Sequence, residues 1–168
     1  MPDAASFEEL AIPLLQALYN YARWLTRDAV EAEDLVQETY LKGLRGFGSF
    51  APGTNFRAWM YRILRNTFLT SRSGLRAAPQ LSIEDDREQV EQSLANTGTE
   101  SILISRIDAR ALRGVIEELP LPFREVLLLA DVEEMSYREI AEALSIPVGT
   151  VTSRLMRARR KVREAIER

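Results

Sequence analysis

Residues 136–166 read SYREIAEALSIPVGTVTSRLMRARRKVREAI, and the pattern within them fixes the character of the C-terminal part of the chain. Ser136 followed three residues later by Glu139 is a capping box, in which each side chain satisfies the other's free backbone N–H at a helix start. Ile140, Ala141 and Leu144 form the apolar face of that helix, and Ser145-Ile146-Pro147 ends it. A second helix begins near Val148, with Val151, Leu155, Ala158, Val162 and Ile166 facing inward. From Val148 to Arg168 seven basic residues stand against Glu164 and Glu167, a net charge of +5 (seven minus two). Two short helices, a tight turn and a basic second helix describe a helix-turn-helix, whose second helix enters the DNA major groove by its N-terminal part. Thr150, Thr152, Ser153, Met156, Arg157 and Arg160 point outward from it. Small hydroxyl side chains allow close approach, arginine can chelate guanine or hold phosphate, and methionine can meet a thymine methyl. The same pattern would also serve a plain three-helix bundle, and the charge tips the balance towards DNA.

The rest of the chain is helical in period as well. Leu10, Leu14, Leu15, Leu18, Ala22 and Leu25 mark a first amphipathic helix, and Pro13 either sits in its first turn or displaces its start. A second helix runs from about Ala29 to Leu44, with Leu35, Val36, Tyr40 and Leu44 inward. Gly46 to Gly53 holds three glycines and a proline, which is loop chemistry. Thr54 or Asn55 caps a third helix, with the stripe Phe56, Trp59, Met60, Ile63, Leu64 and Phe68. On that stripe Phe56 and Trp59 read as core rather than as stacking platforms. From Ser71 to Asn96 the period is lost in a polar, acidic stretch that reads as a linker. Helices over Leu112–Leu119, ended by Pro120 and Pro122, and over Phe123–Val132 follow.

Composition removes most enzyme chemistry. The 168 residues include no cysteine and no histidine, so disulfides, thiol nucleophiles, Cys/His zinc sites and histidine acid–base catalysis are excluded together. No Gly-rich phosphate loop or G-x-S-x-G turn is present. The expectation is a non-enzyme without catalytic residues, metal, cofactor or small-molecule substrate. No apolar run approaches the roughly 18 residues that span a bilayer, and Met1 to Glu9 lacks the features of a signal peptide. Cytoplasmic residence without membrane insertion is therefore expected. The net charge of -3 hides segregation: Arg57 to Arg76 carries five arginines and no acid, whereas Asp28 to Glu38 carries five acids and no base. Glu84 to Glu100 holds six acids against Arg87. Two basic segments divided by acidic ones suggest two polyanion-binding faces.

Several long stretches now resemble one family, in order and at matching spacing. Asp28 to Leu41 (DAVEAEDLVQETYL) and Asn55 to Thr67 (NFRAWMYRILRNT) resemble region 2 of the extracytoplasmic-function (ECF) RNA polymerase sigma factors of the sigma-70 class. Leu119-Pro120, Phe123 to Leu127, Ser136 to Ala141 and Val148 to Arg154 resemble region 4 of the same family. The resemblance covers about residues 7–72 and 102–166.

It implies an all-α chain of two small helical domains: a region 2 bundle (1–72) and a region 4 helix-turn-helix (101–168), joined by an acidic flexible linker (73–100). It further implies that Asp34, Leu35, Gln37 and Glu38 meet the beta-prime clamp helices of core RNA polymerase, with the beta flap as a further contact. Phe50, Asn55, Arg57, Arg62, Arg65, Asn66 and Thr70 would recognise and open the -10 promoter element, an unstacked base being held at the Gly/Pro loop. Thr150, Thr152, Ser153, Arg154, Met156, Arg157 and Arg160 would read the -35 element, Arg154 and Arg159 serving phosphate or solvent. Thr152 departs from the basic residue that many relatives carry there, which bears on the -35 sequence read. The acidic linker would pass towards the basic RNA exit channel, or serve as a solvated tether with no specific path. The implied function is promoter-specific initiation on promoter DNA under an anti-sigma factor. Two alternatives stand beside it. A sigma-like decoy would bind an anti-sigma factor by mimicry, but such proteins usually lose the basic residues that this chain keeps. A stand-alone helix-turn-helix regulator would leave residues 7–72 unused.

Overall fold

A computed structural model describes residues 5–73 and 109–168 of the chain. The linker expected over 73–100 lies outside the described residues, except for Ser73, which closes a helix. Among the described residues every regular element is helical. The chain divides into two compact units, one built mainly from residues 5–73 and the other mainly from 109–168.

The N-terminal unit is a three-helix bundle with a short helix in front. α1 (Phe7–Ala11) opens on a capping box in which the Glu9 N–H donates to Ser6 Oγ and the Ser6 N–H donates back to the Glu9 carboxylate. Pro13 falls in a single 3-10 turn, Ile12–Leu14, and α2 (Leu15–Thr26) starts behind it. Proline thus displaces the start of the long helix, since it has no N–H to give the α ladder. Arg27 takes a left-handed conformation (φ 59°) at the end of α2, and Asp28 caps α3 (Ala29–Gly46) by accepting the Val30 N–H. Two residues therefore reverse the chain. α4 (Phe56–Ser73) completes the bundle, with α2, α3 and α4 all in mutual contact.

The core has the expected 3.6-residue period. Leu18, Tyr21, Ala22 and Leu25 of α2 meet Ala32, Leu35 and Val36 of α3 and Met60, Tyr61, Leu64 and Phe68 of α4, all buried. The Tyr21 and Tyr61 rings stand edge to face 5.2 Å apart. Buried threonines turn their hydroxyls onto their own helices: Thr39 Oγ1 donates to the Leu35 carbonyl and Thr67 Oγ1 to the Ile63 carbonyl, each at 2.7 Å. Leu44 differs from expectation. It is 54% exposed, because the inward ridge of α3 passes through Thr39 and Gly43 instead.

The C-terminal unit consists of α5 (Ala109–Glu118), α6 (Leu121–Leu127), α7 (Tyr137–Leu144) and α8 (Val148–Ile166). Pro122 does not separate two helices. It lies in the first turn of α6, where the lack of an N–H does no harm. α6 runs on into a π-helical turn, Leu128–Val132, wider than the plain helix that periodicity predicts over this stretch. α5 and α6 both pack on α8, whose Val151, Leu155, Ala158 and Val162 are buried.

Two predictions follow from the N-terminal packing. A Cβ at Gly43 would stand 3.0 Å from Met60 Sδ and 3.1 Å from the Phe7 ring. Gly43→Ala is expected to lower stability by about 1–3 kcal/mol in urea unfolding, the range for overpacking a core; an unchanged midpoint would contradict this packing. Tyr40 Oη donates to the Ala11 carbonyl at 2.6 Å, and burial pushes the phenol up to about 12. Its folded value is raised, so its contribution is complete below about pH 10 and is lost as pH rises towards 12. Absorbance titration should find one fewer late-deprotonating tyrosine in Tyr40→Phe than in wild type.

Candidate nucleic-acid interface

Three surfaces carry the residues singled out in the sequence. The first is the outer side of α3. Because Ala32, Leu35, Val36, Thr39 and Gly43 face the core, the helical period turns Val30, Asp34, Gln37, Leu41 and Leu44 outward in a single ridge. Leu41 and Leu44 are 49% and 54% exposed, next to exposed Asp34, Gln37 and Glu38. A surface of exposed leucines set among carboxylates repels DNA and suits a protein partner.

The second surface joins the loop after α3 to α4. A 3-10 turn, Phe47–Ser49, is followed by a reverse turn in which the Thr54 N–H donates to the Ala51 carbonyl at 3.2 Å. Pro52 and Gly53 occupy its corners, Gly53 with φ 87°, the geometry of a type II turn. Asn55 proves to be the cap of α4: its Oδ1 accepts the Ala58 N–H at 2.9 Å. The loop is held by aromatic rings. Phe50 stacks on Phe47 (6.0 Å, 12° between planes) and lies 5.4 Å from Phe56 and 5.2 Å from Trp59. Phe56 is buried, as its place on the apolar stripe predicts, whereas Trp59 is half-buried and reaches a surface groove of about 320 Å³. Lys42, Asn66 and Thr70 line the same groove. Asn66 and Thr70, one turn apart on α4, are exposed, as is Arg62, while Arg57 and Arg65 are half-buried. Arg72 is paired with Glu31 at 3.1 Å and covers the Phe68 ring, so its charge is directed back onto the bundle.

The third surface is the helix-turn-helix, α7 and α8. The capping box at Ser136 and Glu139 forms in both directions, at 3.1 and 3.2 Å. α7 ends with Ser145 left-handed (φ 57°) and the Ile146 N–H bonded to the Ala141 carbonyl, a Schellman closure made without glycine. Thr150, Thr152, Met156, Arg157 and Arg160 are all partly exposed on α8. A further contact fixes this helix from behind. Arg159 Nη2 meets Asp131 of the π turn at 2.7 Å and its Nε meets the other carboxylate oxygen at 3.3 Å. Partial burial works to lower the guanidinium's pKa, but the hydrogen bond and charge of Asp131, with Tyr137 of α7 adding to them, hold it above its ordinary value.

Comparison with known proteins agrees with this geometry. The sigma-70 region 2 family matches residues 10–77, and sigma-70 region 4 matches residues 109–162. The chain is 33% identical over 162 residues to the ECF RNA polymerase sigma factor EcfG of Rhodopseudomonas palustris, covering 96% of this chain and 86% of that protein. The chain belongs to the ECF RNA polymerase sigma factors. It is also 33% identical to SigE of Mycolicibacterium smegmatis over 161 residues, 95% of this chain but 61% of that longer protein. Among solved structures it resembles the sigma factor RpoE from Bartonella quintana, crystallised with the anti-sigma factor NepR. That match has 26% identity, a TM-score of 0.70 and 96% coverage of both chains.

As a sigma factor the chain works with RNA polymerase on promoter DNA, which gives each surface a counterpart. Three of the expected contact residues are buried in the structure. Leu35 is buried in the bundle at 7% exposure and is not part of the outer ridge of α3. Arg154 is 4% exposed, because it flanks the inward stripe of Val151, Leu155 and Ala158 on α8, against α6, which buries the Glu125 carboxylate. Ser153 is fully buried, its hydroxyl turned back onto the Thr150 carbonyl at 3.2 Å. Arg159, expected to serve phosphate or solvent, instead holds Asp131. Sequence reading also missed Leu41, Leu44 and Lys42. For the two leucines the signal was there: with 35, 36, 39 and 43 inward, 41 and 44 must face out.

The Asp131–Arg159 pair yields a thermodynamic prediction. Asp131→Ala and Arg159→Ala should each destabilise the protein by about 1–2 kcal/mol, the usual loss for a charge-assisted hydrogen bond. A double variant no worse than either single one, measured in a urea mutant cycle, would establish the coupling; strict additivity would argue against it.

Proposed function

We propose that this sigma factor binds core RNA polymerase through the outer ridge of α3 and directs it to promoters whose two elements are read by its two units. Residues 1–72 would bind polymerase and open the -10 element; residues 101–168 would read the -35 element; 73–100 would link them. The observation that carries this reading is the division of labour between faces. The α3 ridge is acidic and apolar, which suits the beta-prime clamp helices, whereas the loop, α4 and α8 gather the arginines, Asn66, Thr70 and the half-buried Trp59. The beta flap would be a further polymerase contact. Arg57, Arg62 and Arg65 would hold phosphates, Phe50 and the loop an unstacked base, and Thr150, Thr152, Met156, Arg157 and Arg160 the -35 duplex. Asn55 would take part through its amide nitrogen, because its oxygen already caps α4.

An anti-sigma factor is the proposed brake, supported by the complex of RpoE with NepR. The proposed location is the cytoplasm, where polymerase works; among the described residues no helix is long and apolar enough to cross a membrane.

The decisive experiment is in vitro transcription by sigma-free core polymerase on a pooled promoter library, with the transcripts sequenced. Initiation from sites sharing two spaced elements is the expected result, and silence on every template would refute the reading. Two variants divide the surfaces. Leu41→Asp should weaken core binding by at least about tenfold without lowering thermal stability, because the residue is exposed. Arg157→Ala should weaken -35 binding and reduce the slope of log affinity against log salt by about one if it holds a phosphate. An unchanged slope with relaxed sequence preference would move Arg157 to a base edge.

A further inference from the structure

We infer that Phe7 is a positioning residue for the promoter-opening loop, and that the short helix α1 acts as a wedge holding that loop ready before DNA arrives. The inference rests on the proposed role of the loop in opening the -10 element.

A five-residue helix does not persist alone, so α1 must be held by what it touches. It is fastened at both ends: the capping box at Ser6 and Glu9 closes its start, and the Tyr40 phenol donates to the carbonyl of Ala11 at its end. Between them Phe7 is buried. Its ring meets Phe47 edge-on at 5.6 Å, Phe56 at 6.0 Å and Tyr40 at 6.2 Å. From Phe47 the contacts pass to Phe50, and from Phe50 to Phe56 and Trp59. A line of rings thus runs from α1 into the loop and on to the groove at Asn66 and Thr70.

The loop's hydrogen bonds are local. The Phe50 N–H donates to the Phe47 carbonyl and the Thr54 N–H to the Ala51 carbonyl, and the Ser49 and Thr54 hydroxyls donate to the Gly46 and Ala51 carbonyls at 2.7 and 2.6 Å. A side chain placed at Gly48 or Gly53 would meet nothing within 4 Å. The loop's shape therefore leans on Phe47 and Phe50, and Phe47 rests edge-on between Phe7 at 5.6 Å and Phe56 at 6.2 Å, Phe7 being the nearer ring. Gly43 leaves the space that Phe7 fills, since a Cβ there would lie 3.1 Å from its ring. A loop fixed in its binding shape binds more tightly than one that must be ordered by its ligand.

The test uses holoenzyme assembled from core polymerase and the full chain. One measurement is affinity for a fluorescent single-stranded oligonucleotide carrying the -10 element found in the library experiment; the other is affinity of the chain for core. Phe7→Leu, which keeps apolar bulk but removes the ring, should weaken oligonucleotide binding about tenfold and leave core affinity within about twofold. Tyr40→Phe, which keeps the ring and removes only the donor, should weaken oligonucleotide binding about threefold. Unchanged oligonucleotide binding in both variants would overturn the inference, as would a parallel fall in both affinities, which would mark simple loss of the folded bundle. If Phe7→Leu does not fold, Tyr40→Phe alone decides between these outcomes. Wild-type holoenzyme that fails to bind the oligonucleotide would overturn the role of the loop itself.

Discussion

At Gly43 the helices of the N-terminal unit come so close that a methyl group would press on both the Met60 sulfur and the Phe7 ring. That approach fixes the rotation of α3. With Gly43 inward, Ala32, Leu35, Val36 and Thr39 must also face the core, and the opposite ridge from Val30 to Leu44 must face solvent. The ridge proposed to face polymerase is therefore not chosen separately from the core. Shifting α3 by one residue to bury Leu44 would turn Glu33 and Gln37 into the core with it, and burying the Glu33 carboxylate unpaired carries a heavy desolvation cost. The same close approach admits Phe7, and through Phe7 it reaches the aromatic cluster beneath the loop.

The C-terminal unit is set by its joints rather than by one close contact. The cap at Ser136, the left-handed Ser145 and the break at Pro147 fix where α7 and α8 start and stop. They do not fix how α8 is turned about its axis. Burial of Val151, Leu155, Ala158 and Val162 does most of that, and the Asp131–Arg159 pair adds a directional constraint from the π turn. A π turn widens the helix by one residue and changes where the next side chain points. Here it carries Asp131, and the arginine it meets sits one residue before Arg160, on the exposed side of α8. Two adjacent arginines of like chemistry therefore project about 100° apart around the helix, one onto Asp131 and the other towards the face proposed to meet DNA.

Most of this architecture was legible in the chain. The helix borders, the Ser136 capping box and the break at Pro147 follow from local chemistry, and local chemistry is what a sequence displays. The errors share one cause. Leu44, Ser153 and Arg154 were assigned to faces from residue type or from family pattern, whereas their surroundings depend on which neighbouring helix packs there. An apolar residue at a stripe edge, like Leu44, can fall on either side. An arginine beside a stripe, like Arg154, is covered where an adjoining helix packs over that edge. The π turn was unreadable for a different reason: its residues, Leu128 to Val132, have ordinary helical character, and only tertiary contact decides the extra residue in the turn. The aromatic support of the loop lay between these cases. Phe47, Phe50 and Phe56 were visible, but the partner that ties them to the bundle is forty residues upstream of the first, at Phe7.

The net charge of -3 then acquires a physical sense. A chain basic throughout would bind any DNA through its phosphates, and such binding is strong, salt-sensitive and indifferent to sequence. Acidic residues on α3 and between the two units keep the whole chain from behaving as a polycation, while the arginines gather on α4 and α8. On the proposed reading, neither surface needs high affinity alone. Once one is engaged, the covalent connection raises the effective concentration of the other. Selectivity then depends on both elements being present at the spacing the chain and polymerase together allow. Preforming the loop matters most in this arrangement, because a weak second contact leaves little binding free energy with which to order it.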